Sequence, residues 1–421
     1  MATLNDLPTP CLLLDRERME RNITRLSQRI AGLGPTLRPH LKTCKSVEVA
    51  RRMLATPAGP ATVSTLREAE VFAAAGVRDM IYAVGIAPQK LARVEALRAQ
   101  GVDLTVILDS TEQAEAVAVH SRAGGRAIPA LIEIDTDGHR AGVAPSDAER
   151  LRALAAELTR GGELRGVLTH AGASYGARGA AELERFAAAE RAGAVEAAAA
   201  LRAAGHACPV VSVGSTPTAH FARSLEGVTE VRAGVYVFFD LMMASLGVCR
   251  LDDIALSVLA TVIGHRPAAV PGSRAVWATA NVGAAGCESP NGGPLPANEA
   301  ARAEADAVAQ PRQAPRPSIV GAAITDAGWM ALSRDTGFSP PTQPSYGLAC
   351  NLAGAPLADG HIAETSQEHG VIAAAAPRLA VGDRVRILPH HACATAAQFD
   401  RYYVLGPEGE VEAEWPRFGG W

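Results

Sequence analysis

The pattern of apolar and polar residues along the first half of the chain alternates between two periods. From Arg16 to about Met243, short runs rich in β-branched residues alternate with longer stretches in which apolar residues recur at helical spacing. The predicted strands cover residues 37–41, 61–64, 79–83, 104–108, 128–134, 164–169, 209–213 and 229–232. The predicted helices between them include residues 66–75, 88–100, 110–123, 146–160 and 180–204. Strand–helix units repeated in this way are typical of a (β/α)8 barrel.

A doubly wound open sheet is the structural alternative for a chain that alternates strands and helices. Such a sheet usually has fewer strands, and its first strand is followed by a glycine-rich turn. No glycine-rich turn follows Leu41. The pattern therefore favours an α/β fold built on a TIM-type barrel.

The pattern changes after Gly247 and indicates a second, mainly β domain. Residues 253–262 alternate apolar and polar positions, and shorter strands are predicted at 9–14, 318–325, 385–388 and 402–405. We expect the barrel over residues 15–245 and a C-terminal β domain over residues 246–421, joined by the N-terminal strand within residues 1–14. Residues 284–317 are rich in Pro, Gly and Ala, and they are expected to form a flexible insertion.

The composition limits the classes of partner and compartment. The chain has 421 residues, of which 48% are hydrophobic, and a formal net charge of −4. This balance offers no basic surface for nucleic acid or an anionic membrane. Seven scattered cysteines do not indicate a disulfide framework, and no apolar run is long enough to cross a bilayer. The N-terminal residues carry no export signal, so we expect a cytoplasmic protein that acts on a small molecule.

Lys42 follows the first predicted barrel strand directly. In a (β/α)8 barrel, the loops that follow the strands form the active-site face. An amine at this position can form a Schiff base with pyridoxal 5′-phosphate (PLP), which acts as an electron sink in amino-acid chemistry. A single loop lysine is more often merely solvated, so the hypothesis depends on other residues that the barrel places on the same face.

The turns after the seventh and eighth strands provide a candidate phosphate site. Gly214, Ser215 and Thr216 precede a predicted helix start, where backbone N–H groups and hydroxyls can bind a phosphate. Gly234 follows the eighth strand, and barrels commonly bind phosphate between these two strands. The Gly-Ser-Thr sequence alone is more often a helix N-cap. In combination with Lys42 and Gly234, it favours a phosphate site.

Four side chains at other strand ends are candidates for contact with the cofactor ring. His170 and Tyr175 follow the sixth strand and can stack on a pyridine, although either can be an ordinary loop residue. Arg140 follows the fifth strand and Arg232 ends the eighth. These two arginines are candidates for the phenolic oxygen and ring nitrogen of PLP. The structural alternative for Arg232 is an ion pair with Glu230 on the same strand face.

A candidate metal pair lies in the predicted β domain. His391 and Cys393 stand at the end of a predicted strand, where residues two apart point to the same side. Imidazole and thiolate together suit Zn²⁺, and so few protein ligands leave coordination positions open for water or substrate. An isolated His-x-Cys pair is more often two packed residues, so this prediction depends on its proximity to Lys42.

Together these motifs resemble the fold-type III PLP enzymes, the alanine-racemase-like barrels, and among them the D-serine dehydratase and D-threonine aldolase group. The segments that carry the resemblance are Thr9-Pro10, Arg38-Pro39-His40, Lys42-Thr43, Lys45, Glu68-Ala69-Glu70, Arg140, Gly142-Val143, His170-Ala171-Gly172, Ser174-Tyr175, Gly214-Ser215-Thr216-Pro217-Thr218, Thr229-Glu230, Arg232, Gly234, Glu368-His369-Gly370, His391 and Cys393. They run through nearly the whole chain. The segment 284–317 does not belong to the pattern.

The resemblance implies a role for each matching residue. Lys42 would hold PLP, His170 would stack on the cofactor and Tyr175 would be an active-site tyrosine. The phosphate would be bound by Ser215, Thr216, Gly234 and Tyr236, and the metal by His391 and Cys393. The family usually forms homodimers, which we also expect here.

The implied reaction is β-elimination from a D-β-hydroxy amino acid such as D-serine, D-threonine or 3-hydroxyaspartate, giving a 2-oxo acid and ammonia. A divalent metal, Zn²⁺ before Mn²⁺, would activate the hydroxyl group. A metal-dependent D-threonine-type aldolase is the main competing activity, although the aldolases usually have Asp where this chain has Cys393. An amino-acid racemase and a non-catalytic PLP-binding protein are also compatible with a barrel of this kind.

Overall fold

The computed structural model describes residues 3–138, 140–266, 322–336, 345–373 and 379–421. The predicted insertion at residues 284–317 lies outside these ranges. The strands in the described part of the chain are Cys11–Asp15 (β1), Thr36–Pro39 (β2), Ala61–Val63 (β3), Asp79–Gly85 (β4), Asp103–Leu108 (β5), Pro129–Ile134 (β6), Glu163–Thr169 (β7), Val210–Val213 (β8), Glu230–Ala233 (β9), Leu256–His265 (β10), Ala323–Thr325 (β11), Gly347–Cys350 (β12), Pro356–Thr365 (β13), Gly370–Ile372 (β14), Arg384–Pro389 (β15), Arg401–Leu405 (β16) and Val411–Pro416 (β17).

Helices connect the strands of the first half and are sparse in the second. The α-helices are Arg16–Leu33 (α1), Val47–Met53 (α2), Leu66–Ala74 (α3), Leu91–Ala99 (α4), Thr111–Gly124 (α5), Ala148–Leu158 (α6), Ala180–Ala203 (α7), Thr216–Phe221 (α8), Leu241–Ser245 (α9), Trp329–Leu332 (α10) and Ala392–Ala396 (α11). Short 3₁₀ turns cover Leu4–Asp6, Pro88–Lys90, Gly172–Gly176, Val235–Val237 and Leu251–Asp253. No helix of the described ranges combines the length and apolar composition that crossing a membrane requires.

Eight parallel strands form the barrel, in the order β2-β9-β8-β7-β6-β5-β4-β3. A parallel bridge between His40 and Thr62 joins the two ends of this sheet just beyond β2, so the barrel is nearly closed. Each predicted barrel strand is found within two residues of its expected limits. The barrel prediction is confirmed and the open-sheet alternative is wrong, because the first and last strands, β2 and β9, pair with each other.

Local sequence signals explain how the first barrel helix begins and ends. The Asp15 side chain accepts a hydrogen bond from the Arg18 N–H at 2.9 Å and caps α1. Gly34 ends the helix with φ +101°, a conformation that favours glycine. The face of α1 that packs into the core carries Met19, Ile23, Leu26 and Ile30. The helical periodicity read from the sequence therefore corresponds to the buried face.

The second sheet has nine strands in the order β11-β14-β13-β12-β15-β10-β1-β16-β17. The N-terminal strand β1 lies inside it, antiparallel to β10 and parallel to β16. The hydrophobic pattern did not indicate β12, β13, β14 or β17. β12 and β14 have only four and three residues, β13 is bulged, and three of the six residues of β17 are exposed. Strands that are short, bulged or half-exposed resemble loops in sequence.

A buried ion pair spans the lower part of the barrel. Arg38 on β2 donates to Glu230 on β9 at 2.7 Å and to Asp79 at the start of β4, also at 2.7 Å. Arg38 and Glu230 are both buried. The Ser212 hydroxyl also donates to Glu230, at 2.7 Å. These strands are thus joined by charge-assisted hydrogen bonds below the cavity described next.

We expect Arg38→Leu to lower the free energy of unfolding by about 3–5 kcal/mol, because it leaves the buried Glu230 carboxylate without its cation. Urea denaturation followed by circular dichroism would measure this change. The double variant Arg38→Leu/Glu230→Gln should recover part of the loss. A single-variant change below about 1 kcal/mol would contradict a contribution from this pair.

Candidate active site

A cavity of about 580 Å³ opens at the carboxyl ends of the barrel strands. Its lining comes from the carboxyl-terminal parts of β4, β6, β7 and β9 and the turns after β2, β6, β7, β8 and β9, together with the segment 240–243 and three side chains of the second half of the chain. This volume is typical of small-molecule sites. Eleven of the twelve residues proposed from the sequence line the cavity: Lys42, Arg140, His170, Tyr175, Gly214, Ser215, Thr216, Arg232, Gly234, His391 and Cys393.

Lys42 lies in the turn after β2, and its side chain is accessible from the cavity. Its neighbour Lys45 has a different environment. Lys45 adopts φ +42° and pairs with the buried Glu68 at 3.3 Å. Lys45 is therefore engaged in an ion pair, while Lys42 is the lysine that faces the cavity.

His170 is held as a neutral imidazole. Its Nδ1 lies 2.9 Å from the Gly214 carbonyl oxygen, which requires a proton on Nδ1. Burial, with the positive charges of Lys42 and Arg232 nearby, lowers the pKa of His170 to about 3. A neutral, fixed ring is suited to stacking on a flat aromatic group.

Tyr175 lies beside His170 in the 3₁₀ turn after β7. The two ring centroids are 6.2 Å apart and the rings are inclined at 48°. The turn is held from the neighbouring loop, because the Asp137 side chain accepts a hydrogen bond from the Ala173 N–H at 2.8 Å. Burial raises the pKa of Tyr175 above its ordinary value, so its hydroxyl is a hydrogen-bond donor and not a phenolate.

The turn after β8 corrects one part of the phosphate prediction. The Gly214 N–H donates to Glu190 at 3.0 Å, and the Ser215 N–H donates to the Thr218 hydroxyl at 3.1 Å. These two backbone donors, proposed for a phosphate, are used inside the protein. Gly214 is required for another reason: it has φ +138°, and a Cβ would lie 2.1 Å from the Arg232 carbonyl oxygen.

Two buried hydroxyls near this turn lack hydrogen-bond partners. Thr216 Oγ1 and the Tyr236 hydroxyl have no partner among the described residues, and both side chains are almost fully buried. Buried polar atoms are rarely left unsatisfied, so these atoms indicate a missing acceptor. Thr216 lines the cavity, whereas Tyr236, alone among the proposed residues, does not. The orphaned hydroxyls fit the phosphate group of PLP.

Arg232 is buried at the end of β9 and is fixed by two short hydrogen bonds. It donates to the Ser212 hydroxyl and to the Thr169 carbonyl oxygen, both at 2.6 Å. The ion pair with Glu230 proposed as its structural alternative is not formed directly, because Glu230 pairs with Arg38. Arg140 is exposed at the cavity rim.

Glu133 is a cavity residue that sequence reasoning missed. It lies within β6, and nothing in the alternating strand pattern distinguishes it from an ordinary strand residue. Burial and the nearby Asp109 carboxylate raise the pKa of Glu133 to about 7. The raised pKa of Glu133 can be found only from the folded barrel, because burial and the Asp109 carboxylate, which cause it, involve residues distant in sequence.

His391 and Cys393 both line the cavity, but the predicted local geometry is wrong. The strand β15 ends at Pro389, His391 is the N-cap of α11, and Cys393 lies in its first turn. The Cys393 thiol lies 3.2 Å from the Thr43 hydroxyl, which belongs to the turn that carries Lys42. The metal pair and the lysine are therefore neighbours, as the prediction required.

The charge state of Cys393 differs from that of other buried cysteines in the described ranges. Burial raises the pKa of Cys11 and Cys44 to about 12, as for inert thiols. At Cys393 burial acts in the same direction, but the hydrogen bond and charge of His391 outweigh it and lower the pKa. A thiolate is the form that binds metals.

The described ranges contain no group of three or more His, Cys, Asp and Glu side chains arranged around a metal position.

Two aspartates hold this pair in place. The Asp335 carboxylate lies 2.5 Å from His391 Nδ1, which leaves Nε2 as the nitrogen available to a ligand. The buried Asp240 accepts hydrogen bonds from the N–H groups of Ala392 and Met243, both at 2.9 Å. Asp335 lies in a stretch without a motif, so the sequence did not indicate it. Asp240 follows β9 on the active-site face, as the order of strands predicts, and its bond to the Ala392 N–H is visible only in the structure.

Comparisons with known proteins agree with the fold and the cavity. Residues 14–241 match the alanine racemase N-terminal domain, and residues 300–405 match a putative serine dehydratase domain. The chain is 46% identical to the D-threo-3-hydroxyaspartate dehydratase of Delftia sp. (strain HT23), with 100% of this chain and 99% of that protein covered. It is 26% identical to the D-serine dehydratase of Dictyostelium discoideum, with 97% and 96% covered.

Solved structures extend these similarities. The Delftia dehydratase structure superimposes with a TM-score of 0.84 at 45% identity, covering 100% of both chains. A cysteine-to-alanine mutant of a D-threo-3-hydroxyaspartate dehydratase, solved in its metal-free form, gives the same TM-score and coverage. The D-threonine aldolase of Filomicrobium marinum gives a TM-score of 0.72 at 25% identity, with 98% of this chain and 96% of that chain covered.

The chain belongs to the alanine-racemase-like family of fold-type III PLP enzymes, in the branch that carries a serine dehydratase domain.

We expect PLP to be attached to Lys42, the lysine that faces the cavity. Borohydride reduction of the purified protein followed by peptide mapping should locate the pyridoxyl group on this residue. Lys42→Ala should abolish the label, whereas the control Lys45→Ala should retain it. A label on Lys45 would contradict the assignment.

Asp335→Ala should weaken metal binding by about 10- to 100-fold, because a carboxylate behind a ligating histidine fixes its ring and its tautomer. Competition with a coloured chelator would measure the metal affinity, and the absorbance of bound PLP would be the control. An unchanged metal affinity in the folded variant would show that Asp335 does not orient His391.

Proposed function

We propose that this protein is a PLP- and metal-dependent dehydratase of D-β-hydroxy amino acids, with a D-3-hydroxyaspartate as the first substrate to test. The main support for the proposal is that Lys42 and the His391–Cys393 pair line the same cavity. The turn that holds Lys42 and the turn that holds Cys393 touch through the Thr43 hydroxyl at 3.2 Å. The 46% identity to a D-threo-3-hydroxyaspartate dehydratase supports this choice of substrate.

The cofactor would be held by residues from five strand ends. Lys42 would bind it covalently, and Thr216, Tyr236, Ser215 and Gly234 would surround its phosphate. His170 would stack on the ring, while Arg232 and Arg140 would face the ring nitrogen and the phenolic oxygen. When bound, PLP would supply an electron sink for the pair of electrons left at Cα after proton loss.

The metal would be held by His391 Nε2 and the Cys393 thiolate. Zn²⁺ is our first choice and Mn²⁺ the second, because imidazole and thiolate form a borderline-soft ligand set. A divalent ion at this position would act as a Lewis acid on the β-hydroxyl, which is otherwise a poor leaving group. A D-threo-3-hydroxyaspartate dehydratase mutant has been solved in a metal-free form, which supports metal dependence in this group.

Proton transfer in this scheme belongs to Lys42. Lys42 lines the cavity, and once the substrate amine has replaced it on the cofactor, its free amine would take the α-proton of the substrate. Tyr175 would bind and orient the substrate as a donor, since burial raises the pKa of its hydroxyl. The loss of the α-proton and the β-hydroxyl leaves an enamine, which would hydrolyse to a 2-oxo acid and ammonia.

Three competing functions make different demands on the same cavity. An aldolase would deprotonate the β-hydroxyl and break the Cα–Cβ bond, giving glycine and an aldehyde. A racemase would need a second base opposite Lys42, and the raised pKa of Tyr175 does not favour this residue for that role. A non-catalytic PLP-binding barrel would have no use for the His391–Cys393 pair.

We further propose a homodimer, a cytoplasmic location, and domain limits at residues 15–245 and 246–421.

The products formed from D-threo-3-hydroxyaspartate, D-serine and D-threonine would test the proposal. We expect a 2-oxo acid and ammonia in equal amounts, without glycine or aldehyde. Removing the metal with a chelator, or Cys393→Ala, should lower oxo-acid release at least about a hundredfold, because the leaving hydroxyl loses its Lewis acid. Bound PLP, followed by its absorbance, should remain.

Cys350→Ala is the matched control, because Cys350 is a buried thiol on β12 that does not line the cavity. It should retain full turnover. Cys393→Asp installs the ligand pair usual in the aldolases and should restore metal binding. Full activity in Cys393→Ala, or glycine as the main product of the unmodified protein, would refute the dehydratase proposal.

A further inference from the structure

Glu190 is a fully buried carboxylate that the proposed chemistry does not use. It lies on α7, an alanine-rich helix on the outside of the barrel, and it is 2% exposed. A buried carboxylate is costly unless hydrogen bonds compensate for the lost hydration. Burial raises the pKa of Glu190, and hydrogen bonds from Thr218, Ala171 and Gly214 oppose this effect.

The hydrogen-bond donors to Glu190 come from two separate turns of the cavity. One carboxylate oxygen accepts the Ala171 N–H at 2.9 Å and the Gly214 N–H at 3.0 Å. Ala171 directly follows His170, and Gly214 directly precedes Ser215. A single oxygen atom thus fixes the distance between the turn after β7 and the turn after β8.

His170 completes a closed set of hydrogen bonds with the same residues. Its Nδ1 donates to the Gly214 carbonyl oxygen at 2.9 Å. The backbone of Gly214 is therefore held on both sides, through its N–H by Glu190 and through its carbonyl by His170. The tight backbone approach at Gly214 leaves no room for a side chain, and these two contacts hold its peptide groups in place.

We propose that Glu190 is a positioning residue for cofactor binding, which holds the His170 ring and the Thr216 hydroxyl in register with each other. This inference rests on the proposed function. It predicts that Glu190 matters as a hydrogen-bond acceptor, since a negative charge near a phosphate site would by itself oppose phosphate binding.

The test compares Glu190→Met with Glu190→Gln, which match glutamate in length and differ in whether they can accept the two N–H groups. Apoprotein would be titrated with PLP, and the affinity and visible circular dichroism of the complex measured. Glu190→Met should weaken PLP binding about 10- to 100-fold, because two buried N–H groups lose their acceptor. It should also change the dichroic band, because the His170 ring is released. Glu190→Gln should stay within about threefold of the unmodified protein, because its amide oxygen can replace the carboxylate oxygen.

Ser121→Ala is the control for general destabilisation. The Ser121 hydroxyl is buried on α5 and accepts the Ile128 N–H at 3.0 Å, away from the cavity lining. This variant should lower the thermal stability without changing PLP affinity. If Glu190→Met does not fold, Glu190→Asp is the replacement, because its shorter side chain cannot reach both N–H groups.

Two outcomes would overturn the proposal. Unchanged PLP affinity in folded Glu190→Met would make Glu190 a structural residue only. An equal loss of affinity in Glu190→Gln and Glu190→Met would show that the charge, and not the acceptor, is what matters. Neither outcome depends on turnover, so a failure of the dehydratase assay would be distinguishable from a failure of this inference.

Discussion

The closure of the barrel is the constraint on which the site depends. The first barrel strand pairs in parallel with the last, and this pairing brings the turn after β2 against the turn after β9. The contact is tight: a Cβ on Gly234 would lie 3.0 Å from the His40 carbonyl oxygen and from the Thr43 hydroxyl. Lys42 lies between these two residues in the chain. Lys42 and Gly234, which follow the first and the last barrel strands, therefore become neighbours.

The second sheet reaches the cavity through a small number of polar contacts with the barrel. The Met242 N–H donates to the His390 carbonyl at 3.2 Å, and Asp240 accepts the Ala392 N–H. The Tyr402 hydroxyl donates to the Cys44 carbonyl at 2.6 Å. The first two bonds connect the segment after β9 with the segment that carries His391 and Cys393, and the third connects the turn after β2 with β16. His391 and Cys393 are thus held against the barrel by contacts outside their own segment.

Several buried charged groups below and around the cavity have specific partners. Arg38 and Glu230 neutralise each other, Arg232 binds a hydroxyl and a carbonyl, and Glu190 accepts backbone N–H groups. Three buried hydroxyls of the described residues, on Thr62, Thr216 and Tyr236, lack such partners, and of these only Thr216 lines the cavity. An unsatisfied buried hydroxyl beside the cavity is informative, because a buried polar atom without a hydrogen-bond partner is costly and is rarely found in a protein interior.

The sequence by itself determined the barrel, its strand limits within two residues, and eleven of the residues that line the cavity. It could do so because hydrophobic periodicity is a local property and because a barrel places every strand end on one face. It did not indicate the half-exposed strands such as β17, whose side chains lack a continuous apolar face. Tertiary structure alone decided the environments of Glu133, Glu190 and Asp335, and the use of the Gly214 N–H by the protein itself. These features depend on which atoms meet across strands, helices and the second sheet, and the order of residues along the chain does not contain those distances.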